Sequence, residues 1–128
     1  MSASSFIWVG QDVVLAIHDA QIAEHGGSPG IRDIGLLESA LARPRNLAAY
    51  GQPDIADLAA AYAYGLARNH PFIDGNKRVS LAVTETFLEL NSRQLEATDA
   101  DCLRVWLELA SGHLTEDELA EWLRSHLV

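Results

Sequence analysis

Residues 70–78, His-Pro-Phe-Ile-Asp-Gly-Asn-Lys-Arg, break a long helical pattern, and no other stretch narrows the possible folds of this chain as far. Before the break, residues 54–69 read as an Ala-rich helix with Ile55, Leu58, Ala59, Tyr62, Ala63 and Leu66 on one face. After it, residues 76–90 read as a second helix. Val79, Ala82, Val83, Thr86, Phe87 and Leu90 form its stripe, and Leu81 and Leu88 lie off it. A helix that is apolar on nearly all sides belongs in a protein interior. The pattern therefore predicts a central buried helix whose N-terminus carries the polar break.

That placement has a chemical meaning. The first N–H groups of a helix lack internal partners and sit at the positive end of the peptide dipoles, so they attract anions. Gly75 lets a ligand approach the backbone closely, because it has no side chain in the way. Lys77 and Arg78 add two formal positive charges, which suits a chain of phosphates. Asp74, just ahead, is a hard oxygen ligand for the Mg²⁺ that accompanies nucleotide phosphates. Asn76 can position a phosphate or cap the loop. Histidine is the one side chain of the group that ordinarily titrates near neutral pH, at ~6.5, which makes His70 the candidate general base for a hydroxyl attacking phosphorus. Each fragment also has a plain structural use: Asp-Gly-Asn as a turn and cap, His-Pro as a loop entry, Lys-Arg as an exposed pair. Their coincidence at a break between two apolar helices favours the functional use.

At these residues the sequence resembles the Fic/Doc family, whose signature reads roughly His-x-Phe-x-Asp/Glu-Gly/Ala-Asn-Gly/Lys-Arg. His70, Phe72, Asp74, Gly75, Asn76, Lys77 and Arg78 match it in spacing. Lys77 resembles the Doc, or death-on-curing, branch. AMP-transferring Fic enzymes usually carry Gly there and a further Arg three residues after the motif's Arg, where this chain has Leu81. Residues 26–44, GGSPGIRDIGLLESALARP, are similar to the N-terminal half of the Doc subgroup.

The resemblance implies an all-α, Fic-like helical bundle over residues 1–128 as a single domain. It implies a toxin of a toxin–antitoxin pair that transfers the terminal phosphate of ATP to a Ser or Thr hydroxyl of elongation factor Tu, arresting translation. In that mechanism Asp74 holds Mg²⁺. Gly75, Asn76, Lys77 and Arg78 hold the phosphates and stabilise charge in transfer, and His70 takes the hydroxyl proton. Arg68 either ends its helix with a charge or assists with the phosphates. Phe72 anchors the loop in the core. The implied partner is a Phd-like antitoxin. Some Fic proteins silence themselves with a Ser/Thr-x-x-x-Glu-Gly/Asn helix; no Glu here is followed by Gly or Asn. Two alternatives stay open: AMP transfer, and a non-catalytic antitoxin-binding co-regulator. A metal hydrolase built on His70 and Asp74 has too few ligands for zinc.

Composition narrows the classes further. At 128 residues the chain suits one domain and needs no disulfide or metal staple. Nine basic against eighteen acidic residues give a net charge of −9, which argues against direct nucleic-acid binding. Arg68, Lys77 and Arg78 make a local positive focus suited to one small anion. The lone Cys102 suits a reducing cytoplasm and sits in a helical pattern with no His beside it. No apolar run is long enough to span a membrane, and MSASSFIWVG lacks the pattern of a signal peptide.

The remaining chain reads as helices and turns. Residues 6–9 form a short apolar strand or arm. Residues 11–24 form a helix in which His18 is a satisfied, semi-buried histidine, followed by a glycine-rich loop over 26–32. Asp33 opens a helix that runs to Ala42 and ends at Pro44, with a loop over 46–53 beyond it. Arg43 and Arg45 are exposed charges or groove residues. Residues 93–97 form an extended piece that could pair with 6–9. Thr98 or Asp99 caps a helix to Ala110. Thr115 and Glu118 have the spacing of a capping box for the last one. Trp106 and Trp122 are packing residues.

Overall fold

Asp33, Asp54, Thr98 and Thr115 each cap a helix with their side chains in the computed structural model, which describes residues 5–128. The helices are α1 (Gln11–His25), α2 (Ile34–Tyr50), α3 (Ile55–Asn69), α4 (Asn76–Leu90), α5 (Asp99–Ala110) and α6 (Glu116–Ser125). The described residues hold no sheet, only isolated bridges between Ile31 and Phe72 and between Leu95 and Leu127. The fold is all-α. Among the described residues no helix is long and apolar enough to cross a membrane. The first four residues of the stretch read against a signal peptide lie outside the described residues.

The N-terminus of α3 is fixed by a reciprocal cap: the Asp57 amide donates to Asp54 Oδ1 at 2.9 Å, and the Asp54 amide donates to Asp57 Oδ2 at 3.0 Å. Its run of alanines then lets α2, α4, α5 and α6 all pack against it. The approach to α2 is closest at Gly65, where a Cβ would lie 3.1 Å from Ala40 Cα. α4 packs against α1, α3 and α5. It buries Val79, Ser80, Val83, Thr84, Phe87 and Leu88, while Lys77, Arg78 and Glu85 stay exposed. The helix after the motif is thus central on one face and open on another. Leu90, placed on the stripe by sequence, is exposed.

α5 is registered on α4 through buried polar groups. Trp106 Nε1–H donates to Ser80 Oγ at 2.9 Å, and Ser80 Oγ–H donates to the Ala63 carbonyl at 2.8 Å. Buried donors and acceptors of this kind cost stability unless paired, and the described residues leave none of their buried side-chain polar atoms unpartnered.

Three expectations are corrected. Pro44 does not end the second helix; α2 continues to Tyr50 with Pro44 buried inside it. Proline removes one helical hydrogen bond and crowds the carbonyl four residues back, at a cost of ~3 kcal/mol. Packing offsets this: Leu37, Ala40 and Pro44 are buried, and the turn beyond places the Arg45 guanidinium over the Trp8 ring at 5.5 Å. The loop expected over 46–53 shrinks to residues 51–54. Residues 93–97 do not pair with the arm 6–9. Gln94 exchanges two backbone hydrogen bonds with Val128, and the Glu96 amide donates to the His126 carbonyl at 2.7 Å. The arm is held instead by Asn91, whose side chain accepts from the Ile7 amide at 2.8 Å and donates to the Ile7 carbonyl at 2.9 Å.

Candidate active site

The segment between α3 and α4 is built as a rigid loop. His70 closes α3 in the left-handed region, at φ 49° and ψ 56°. Phe72 is 1% exposed and stacks on the ring of His18 from α1, with centroids 3.9 Å apart. The Asn76 amide grips Phe72 from the first turn of α4. Its Oδ1 accepts from the Phe72 amide and its Nδ2 donates to the Phe72 carbonyl, each at 3.0 Å. The side chain of Asn76 therefore closes the loop, the structural alternative among its two expected uses.

The glycine-rich loop after α1 lies against this segment. The Arg32 and Asp33 amides both donate to the Pro71 carbonyl, at 2.8 and 3.1 Å, and the Ile73 amide donates to the Gly30 carbonyl at 3.2 Å. Asp74 is held from three directions. Its carbonyl accepts from His18 Nε2–H at 3.0 Å, which fixes the proton on that nitrogen. Oδ2 accepts from the Ser28 amide at 3.2 Å, and Oδ1 from the Gly75 amide at 2.9 Å. Residue 27 has to be glycine for this contact: φ is +115°, and a Cβ would stand 2.8 Å from Asp74 Oδ2. The two stretches singled out by sequence are one structural unit.

Gly75 precedes α4 at φ 79° and supplies no side-chain cap. The Val79 amide, bonded to the Gly75 carbonyl at 3.0 Å, is the first to find a partner in the helix. The amides of Asn76, Lys77 and Arg78 are thus the open donors of this end. Beside them lies a cleft of about 820 Å³. His70, Asp74, Gly75, Asn76, Lys77 and Arg78 line one side of it; Asp99, Cys102, Leu103 and Trp106 of α5 contribute to its lining as well. Within the described residues the side chains of His70, Lys77 and Arg78 make no hydrogen bond or ion pair. They are available to a guest.

Arg68 is not among the cleft's lining residues. Its guanidinium lies 5.7 Å from the Tyr64 ring and against Gly112 in the α5–α6 turn, where Nη1 is 2.9 Å from the position a Cβ would take. Arg43 is likewise occupied, by Glu116 and by the Tyr64 ring. No group of three or more His, Cys, Asp or Glu gathers among the described residues to hold a metal. One carboxylate beside open helix amides fits Mg²⁺ that arrives with substrate phosphates, since Mg²⁺ takes one or two carboxylates and fills its shell with phosphate oxygens and water. It does not fit a resident metal.

Glu85 lines the same cleft about two turns along α4 from Arg78. Its side chain is only partly solvated there, and this desolvation pushes its carboxyl above its ordinary value, with Glu89 and Asp99 adding to the effect. Burial also raises the Cys102 thiol, and Glu85, Asp99 and Asp101 push the same way, which disfavours a reactive thiolate. Spacing did not reveal the contribution of α5 or of His18, Gly27 and Ser28. Their roles arise from packing between distant segments. The only hint was that residues 26–44 carried the second resemblance.

The model of the Fic/DOC family matches residues 8–88, which include the loop. The chain is 48% identical to a "Toxin Doc" of Mycolicibacterium smegmatis over 75 residues, 56% of this chain and 57% of that protein. The matched part thus spans little more than half of the mycobacterial relative. It is 31% identical to the "Protein kinase doc" of Escherichia phage P1 over 117 residues, 91% of this chain and 92% of that one.

Proposed function

The chain belongs to the Fic/DOC family, and on that premise we propose that it is a Doc-type toxin that phosphorylates a protein hydroxyl. The supporting observation is the convergence of an unpaired His70, the Asp74 carboxylate and the cationic N-terminus of α4 on one cleft. The donor is ATP, and the acceptor a Ser or Thr of elongation factor Tu. The similarity to proteins named "Toxin Doc" and "Protein kinase doc" supports phosphoryl transfer to a protein by a toxin.

In the reaction, the open amides of Asn76, Lys77 and Arg78 and the two cationic side chains hold the phosphates and stabilise the charge that spreads over the transferred group. Asp74 would hold Mg²⁺ that arrives with the phosphates, and the ion would supply further neutralisation of that charge. His70 accepts the proton of the attacking hydroxyl as its oxygen bonds to the terminal phosphorus; the bond to the bridging oxygen breaks and ADP leaves. Asn76 acts by keeping the loop closed. The proposed site omits Arg68, which lies away from the cleft.

AMP transfer is the weaker alternative. Lys77 stands where Fic enzymes usually carry Gly, and Leu81, where they usually carry a second Arg, presents an apolar side chain to the cleft. A separate antitoxin of the Phd type completes the proposal, with the cytoplasm as its setting. The test is His70→Ala. It should keep its far-UV circular dichroism and lose transfer of γ-labelled phosphate; full activity in that variant would remove His70 as the base.

A further inference from the structure

We propose that Arg32 is the residue that positions His70 for proton transfer. The inference rests on His70 being the base. Within the described residues the imidazole makes no hydrogen bond or ion pair, so no third group orients the ring, as one does in many catalytic bases. The direction in which its Cα–Cβ bond leaves the chain is set by its own backbone. That backbone is unusual: His70 and Ser92 are the only non-glycine residues at positive φ among those described. A left-handed residue at a helix end persists where its surroundings hold it.

Arg32 supplies the hold. The last carbonyls of a helix have no internal partner. Arg32 Nε–H donates to the His70 carbonyl at 2.7 Å, and Nη2–H donates to the Asn69 carbonyl at 2.8 Å. A planar guanidinium presents its donors in a fixed fork, so gripping two successive carbonyls sets the orientation of both peptide groups. The Arg32 amide meanwhile donates to the Pro71 carbonyl. One residue thus takes three successive carbonyls, 69 to 71. It is itself immobilised, because the next residue, Asp33, caps α2 by accepting from the Leu36 amide at 3.0 Å. Asn69 Nδ2–H, donating to the Leu36 carbonyl at 3.0 Å, anchors the corner from the other side. Arg32 does not line the cleft. It acts through His70 and not on the substrate.

Arg32→Ala, Arg32→Lys and His70→Ala, with the double variant, separate this role from others. Arg32→Ala should lower kcat for phosphate transfer by about a hundredfold, the scale of a misplaced catalytic group, and leave the Kd for ATP and Mg²⁺ within about twofold. Lysine, with a single point of contact, should restore only part of the loss. Adding Arg32→Ala to His70→Ala should cause no further loss. Histidine-labelled NMR supplies a readout that does not depend on activity: the His70 ring signal should shift in Arg32→Ala, while those of His25 and His113 stay in place. A wild-type kcat together with an unmoved His70 signal in Arg32→Ala would overturn the proposal. A shifted His70 signal with an active His70→Ala would uphold the positioning and overturn the base assignment instead. Weakened ATP binding at unchanged kcat would place Arg32 on the nucleotide and also overturn the proposal.

Discussion

Asn76 holds Phe72 by both ends of its amide, accepting from the Phe72 N–H and donating to the Phe72 carbonyl at 3.0 Å each. Asparagine is the residue that can do both from this position. Aspartate keeps the acceptor but turns an oxygen toward the Phe72 carbonyl. Asn76→Asp should therefore destabilise the protein by about 1–3 kcal/mol, the cost of one lost and one repulsive contact at a part-buried site. Urea unfolding measures it, and phosphate transfer should fall with it. An unchanged midpoint would mean that the clamp contributes nothing to the loop.

Gly27 and Asp74 are coupled by lack of space. Gly27→Ala forces a side chain into a left-handed backbone, at about 1 kcal/mol, and drives a methyl against Asp74 Oδ2. The carboxylate has to move. Calorimetry of ATP binding with and without Mg²⁺ should show the magnesium-dependent part of the affinity weakened about tenfold and the metal-free part little altered. Equal weakening of both would place the damage in the loop as a whole rather than at Asp74.

Arg124 ties the last helix to the start of α3. It donates to Asp54 through Nε at 2.7 Å and through Nη2 at 3.0 Å, and pairs with Asp57 and Glu121 as well. The Arg124 hydrogen bond draws the Asp54 carboxyl from 3.8 down to about 2. A carboxyl depressed in the folded state favours folding when it is ionised. The stability it contributes is complete above the ordinary carboxylate value and is lost as pH falls through about 2. Half of the Asp54 side chain is exposed, so solvent screens the pair to about 1 kcal/mol. Arg124→Gln should lower the melting temperature at neutral pH, and its gap from wild type should close between about pH 4 and pH 2. A gap that stays constant over that range would exclude Asp54 as its source.

The legible parts of this chain were those encoded locally. The bounds of α4, and the cap of α6 by Thr115 and Glu118, follow from neighbouring residues and match the structure. So does the gathering of His70, Asp74, Lys77 and Arg78, because adjacent residues on a tight loop share a surface. Where long-range packing decided, local rules failed. Pro44 should stop a helix, yet burial carries α2 past it. Leu95 pairs with Leu127 near the C-terminus and not with the N-terminal arm. Arg68 is two residues from His70 in sequence, but it is still in α3 while His70 has left the helix, and it lies against Gly112. The contribution of α5 to the cleft depends on the contact of Trp106 with Ser80, which no spacing rule encodes.

The central claim is the transfer of a phosphoryl group through the cleft at the start of α4. The most direct measurement is the intact mass of elongation factor Tu after incubation with this protein, ATP and Mg²⁺, with no antitoxin present. The account predicts a gain of one phosphoryl group, absent with His70→Ala. A gain of one AMP, or no gain with any protein of a whole lysate supplied with labelled ATP, would contradict it.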